Sequence, residues 1–197
     1  MAGNVDKKYL TTICKRHNIE LTQNKISKIF NLDFLVNTRH STIKDIFTFE
    51  YLFNLLNTLD QTNEFIESSH ILNKNHDNSY DILIIFKHVG ANMGLLKKYL
   101  SFNLKKSTDQ FNNITMNAVN INCTSELVKD LDKINLYFGD MTIVPDKNTD
   151  STTTNRALIH LVFNLEIYDD MPKMIVNFVK LVMKNMVLKL QEYIETL

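Results

Sequence analysis

Six histidines, two cysteines and a scatter of carboxylates are the groups in this 197-residue chain that could do chemistry. His17, His40, His70, His76, His88 and His160 show no His-x-x-x-His spacing, which on a helix would stack two imidazoles around a metal ion. His70 and His76 bracket a polar stretch with Asp77, a separation that suits solvated loop residues. Cys14 and Cys123 form no Cys-x-x-Cys pair and sit in no nucleophile motif. Gly90-Ala91-Asn92-Met93-Gly94 lacks the Lys-Ser/Thr that completes a phosphate loop and reads as a connection between strands. Asp169-Asp170 could hold a cation, yet capping of a following helix accounts for both. His160 with Glu166 is the nearest approach to an acid–base pair. The expectation is no catalytic residue, no metal and no cofactor.

Composition narrows the classes further. Lys+Arg and Asp+Glu both number 22, so the basic excess that neutralises nucleic-acid phosphates is absent and no nucleic-acid partner is expected. No apolar run follows the charges near Met1 in the manner of a signal peptide. No uncharged apolar stretch is long enough to span a bilayer. Two distant cysteines suit a reduced compartment, which makes the expected location cytoplasmic. The Asn-x-Thr patterns at Asn113 and Asn122 then read as chance in an Asn-rich chain. Four glycines and two prolines, with no repeat and no linker-like stretch, point to one domain over residues 1–197.

Periodicity supplies the elements that would position such groups. Tyr9, Leu10, Ile13 and Cys14 fall on one helical face, predicting a helix over residues 5–17 within an N-terminal helical segment, 1–27. Phe30, Leu32, Phe34 and Val36 alternate as a half-buried strand does. Ser41 or Thr42 can cap a helix running through Ile43, Ile46, Phe47, Phe53 and Leu56. Strands are predicted at 64–72 and 79–89 around a polar turn, and a hairpin at 99–105 and 111–122. Residues 125–132 read as a loop or helical turn. A strand over 133–144 is expected to be interrupted at Gly139 and stopped by Pro145. Ala157, Ile159, Leu161, Phe163, Leu165 and Ile167 alternate without a break. From Pro172 to the end, Met174, Ile175, Phe178, Val179, Val182, Met186, Leu190 and Ile194 keep helical spacing, and Leu181, Met183 and Val187 widen the apolar stripe beyond the usual ~100°. The fold class is therefore α+β: an antiparallel sheet and helix over 28–168, then a long helix over 170–197.

The stretch Leu136-Tyr137-Phe138-Gly139-Asp140-Met141-Thr142-Ile143-Val144-Pro145 resembles the START family, the helix-grip lipid-transfer domains, whose corresponding strand carries a glycine and ends in proline. Pro172 with Val176-Asn177-Phe178 resembles the start of the family's last helix, and residues 32–89 its first strand, helix and strand pair. The likeness extends over residues 28–197. It implies a curved antiparallel sheet wrapped around the C-terminal helix, and between them a hydrophobic cavity for a sterol, phospholipid or similar molecule. The wide stripe agrees in kind. Such a cavity would be lined by Ile175, Phe178, Val179, Val182 and Met186, with Phe163, Leu161 and Met116 opposite. His160 and Glu166 are then either polar anchors or solvent-facing. Lys97-Lys98 and Lys105-Lys106 would serve transient membrane contact, or lie solvated on a strand edge. The preferred reading is a monomeric, non-enzymatic module that binds and transfers a lipid or other apolar small molecule. A protein-interaction domain with a solid core, or a cyclase- or hydrolase-type enzyme using His160 and Glu166, are the alternatives.

Overall fold

The computed structural model describes residues 9–16, 18–38, 43–49, 53, 66–88, 91, 96–146 and 155–165, with Lys184, Leu188, Gln191, Glu192, Ile194 and Glu195 near the C-terminus. Strands β1 (Leu10–Arg16), β2 (Ile19–Asn24) and β3 (Phe30–Asn37) precede a short helix, α1 (Ile43–Ile46). Then follow β4 (Ile66–Lys74), β5 (Ser79–Phe86), β6 (Lys98–Thr108) and β7 (Ile114–Asn120). A 3-10 turn (Glu126–Val128) leads to β8 (Asp132–Ile134), β9 (Leu136–Pro145) and β10 (Arg156–Leu165). These strands make one sheet in the order β1-β2-β3-β10-β9-β7-β6-β5-β4, with β8 parallel to β6 and all other pairs antiparallel.

Alternation decides which face is buried, because a period of two sends every second side chain to the same side. One register row runs Ile19, Phe34, Ile159, Ile143, Ile114 across five strands, and each of these side chains is buried. Ile43, Ile46 and Phe47, together with Ile194, close over this inner face in the same cluster, and Leu188 packs against it. A second inner cluster joins Phe49 to Ile66, Ile82 and Ile84. On the outer face, Cys123, Val128 and Leu131 cover Leu83, Ile85 and Tyr99. Burial there pushes the Tyr99 hydroxyl above its ordinary pKa. The turns are set by short polar side chains. Asn24 Oδ1 accepts from the amides of Ile26 and Ser27, and Asp109 Oδ1 from those of Phe111 and Asn113.

Three expectations need correction. Residues 10–16 are strand β1, not helix: a bulge between Thr12 and Cys14 shifts the alternation by one residue, so Ile13 and Cys14 both turn toward the core. Residues 19–24 are a further strand that the periodicity did not mark. Gly139 does not interrupt β9; the break falls at Asn135, between β8 and β9. The described residues of 184–195 are helical, and the rest of the predicted C-terminal helix lies outside the described residues. Among the described residues, no helix is long and apolar enough to cross a membrane.

Candidate ligand site

Inner-face side chains of β5, β6 and β7 meet the chain leaving α1 around a cavity of about 370 Å³. Its apolar wall is Phe49, Tyr80, Leu104 and Met116, and its polar rim is Thr48, Asn78, Lys106, Ser107 and Thr108. Each wall residue has a local reason for its place. Leu104 pairs with Tyr80 on one side and Ala118 on the other, so the row continues across three strands. Phe49 stacks on Tyr80 with ring centroids 3.3 Å apart and planes 7° from parallel, and Phe53 follows in the same stack. Lys106 lies opposite Met116 in the β6–β7 ladder. Its Nζ donates to the Phe47 carbonyl at 2.6 Å, tying β6 to the end of α1. Leu104 packs against both inner clusters and so joins the cavity to the larger core.

Beyond the cavity the inner face is incompletely covered. Met141, Leu161 and Phe163 pack against the main cluster yet stay only partly buried. Phe163 stacks on Phe30, 5.1 Å between centroids and 9° from parallel.

Of the residues expected to line a cavity against the C-terminal helix, Met116 borders the cavity described above and is also buried in the main cluster. Leu161 shares its face of the sheet and its register row, with Met141 of β9 between them, and Phe163 lies in the next row of that face, across Gly139 from Ala118. His160 takes the other face, its Nδ1 2.5 Å from Asp33 Oδ1, with both side chains about half-exposed. That is the solvent-facing position of its two readings. Glu166, Ile175, Phe178, Val179, Val182 and Met186 lie outside the described residues. Phe49, Tyr80, Leu104 and Lys106 were not singled out as ligand-lining. For Leu104 and Lys106 the signal was present in the alternation of Leu100, Phe102 and Leu104, which places Lys106 on the apolar face; Phe49 and Tyr80 lie on other elements that this alternation does not reach.

Around the rim, the β4–β5 turn is fixed by polar bonds. Asp77 accepts from Lys105 Nζ at 2.8 Å, from the Ser79 hydroxyl at 2.7 Å and from the Ser79 amide. The Lys105 bond first, then those from Ser79, hold its carboxyl well below the usual carboxylate range. Asn78, next to it, has φ 59°, the left-handed conformation that asparagine tolerates. Among the described residues no cluster of His, Cys, Asp or Glu could hold a metal ion.

No family model and no curated protein matches this sequence. Solved structures do. Human StAR-related lipid transfer protein 5 superposes with a TM-score of 0.68 at 8% identity, covering 96% of this chain and 88% of its own. For human STARD10 the TM-score is 0.64 at 8% identity, with 94% and 72% covered. A STAR-related lipid transfer protein from Xanthomonas axonopodis gives 0.57 at 8% identity, with 86% and 88% covered. Strand order, inner-face core and these superpositions together identify the chain's architecture as that of the START domain.

Proposed function

We propose that this protein binds a lipid or similar apolar small molecule against the inner face of its sheet and carries it without altering it chemically. The observation that supports the reading is the cavity of about 370 Å³ walled by Phe49, Tyr80, Leu104 and Met116, which falls within the ~300–1,000 Å³ range of ligand sites. Partly buried Leu161 and Phe163 extend the same apolar face. In this reading the opposite wall is the C-terminal segment, through Ile175, Phe178, Val179, Val182 and Met186. The two free cysteines, Cys14 and Cys123, suit a cytoplasmic setting.

Natively purified protein, extracted with organic solvent and read by mass spectrometry, should release a lipid in near-stoichiometric amount. A titration with fluorescent sterol and phospholipid should saturate, and Val182→Gln should weaken that uptake more than it weakens folding. Bound ligand at a hundredfold excess over Kd should stabilise the fold by ~2.7 kcal/mol. Failure to extract or bind any lipid class would sink the proposal and leave a solid-core interaction domain in its place.

A further inference from the structure

We infer that Thr11 and Gln23 hold the uncharged polar head of the bound molecule, a hydroxyl or an amide, while its apolar body runs along the inner face toward the cavity; this rests on the lipid-binding reading above. β1 and β2 set the two side chains directly opposite each other, on the face that carries Cys14 and Leu21 into the core. Thr11 Oγ1 is buried and, among the described residues, has no hydrogen-bond partner. Gln23 is 8% exposed, and its amide makes no hydrogen bond to a described residue. Buried polar groups are nearly always paired, so two unpaired neighbours on one face point to a third group that completes them. A hydroxyl and an amide each both donate and accept, and the completing group must do the same. The register row then leads from Gln23 through Phe30, Phe163, Gly139 and Ala118 to Leu104 of the cavity wall. Phe163, Ala118 and Leu104 are only partly buried, so the face opens two strands from the polar pair on the way to the cavity. The row holds no charged side chain before Lys74 on the edge strand β4, and burying an unpaired charge costs far more than burying a neutral polar group. The same pair that accepts a neutral head therefore disfavours an ionised one.

Dodecanol, dodecanamide, dodecanoate and dodecylammonium carry chains of one length and differ at the head, so competing each against a fluorescent lipid isolates the head's contribution. Wild-type protein at neutral pH should bind one or both neutral molecules at least about tenfold tighter than either ion. The better of the two identifies the head as hydroxyl or amide. Gln23→Met and Thr11→Val keep the side-chain shape and remove the hydrogen-bonding groups. Each should weaken the preferred neutral molecule about fivefold and leave the two ions within about twofold. Neither removes a bond to a described residue, so urea midpoints should stay close to wild type; if one variant fails to fold, the other carries the test. Ions that bind wild type as tightly as the neutral molecules overturn the uncharged-head inference while lipid binding stands. A neutral preference that persists undiminished in the folded variants overturns the assignment to Thr11 and Gln23. If none of the four binds and no lipid extracts, the lipid reading itself falls.

Discussion

Replacing Phe163 with alanine tests whether the inner face is open. Phe163 stacks on Phe30 along one side of its ring and is only partly buried. Its backbone partner on β9 is Gly139, which contributes no side chain to cover it. Truncating a fully buried phenylalanine costs ~3–5 kcal/mol. A partly buried ring should lose less than that, about 2 kcal/mol, of which ~0.5–1.5 kcal/mol is the stacking geometry. Ile159 is the internal standard. It is 0% exposed, between Phe34 and Ile143 in the register row, so Ile159→Ala should cost ~3–4 kcal/mol. Urea unfolding of the three proteins, with m-values checked for constancy, gives the ranking directly. Should Phe163→Ala cost as much as Ile159→Ala, the ring is sealed in a filled core and no open apolar face exists there. A cost under ~0.5 kcal/mol would instead mean that the Phe30 stack contributes nothing.

Gly139→Ala should be neutral or stabilising by up to ~1 kcal/mol, because the new Cβ meets Ala118 Cβ at an ordinary 3.4 Å and the unfolded chain loses freedom; a loss above ~1 kcal/mol in the same denaturation assay would contradict it. Ser101 is fully buried, and its hydroxyl donates to the Ile121 carbonyl at 2.8 Å. Since that carbonyl also accepts from Lys133 Nζ, Ser101→Ala should cost only about 1 kcal/mol in thermal unfolding. Asp77 is depressed in the folded state, so its contribution is present above the ordinary aspartate pKa of ~3.9 and lost as pH falls through the lower folded value. Urea midpoints for Asp77→Asn should therefore fall less steeply than wild type below about pH 4, and parallel curves would refute the role given to the Lys105 and Ser79 bonds.

The sequence was legible where one periodicity held without interruption. β3 and β10 alternate strictly, and their buried residues, Phe30 to Val36 and Ala157 to Ile159, are those the alternation selects. The N-terminal strands were hidden for two different physical reasons. In β1 the bulge after Thr12 places neighbours Ile13 and Cys14 against the core, and with Leu10 the result imitates helical spacing. In β2 the buried face ends on Gln23, a polar side chain that a hydrophobicity pattern counts as exposed. Gly139 misled in the opposite direction. A glycine in a strand suggests a bulge or break, but this one lies opposite Phe163 and beside Ala118, where a small residue fits between larger ones.

The candidate site was less legible than the fold, because its walls come from segments that share no periodicity. Phe49 follows α1, Tyr80 opens β5, and Leu104 and Met116 lie on opposite strands of a hairpin. Only pairing brings them together: Tyr80 meets Leu104 across β5 and β6, and Met116 meets Lys106 across the hairpin closed by the Asp109–Asn112 turn. A one-residue slip of β6 against β5 would send Lys106 to the outer face and Lys105 inward, exchanging which lysine faces the cavity. The outer lysine already has its partner in Asp77. That bond favours the register in which the inner lysine reaches Phe47, so the charge chemistry of the turn and the polarity of the cavity are set by the same pairing.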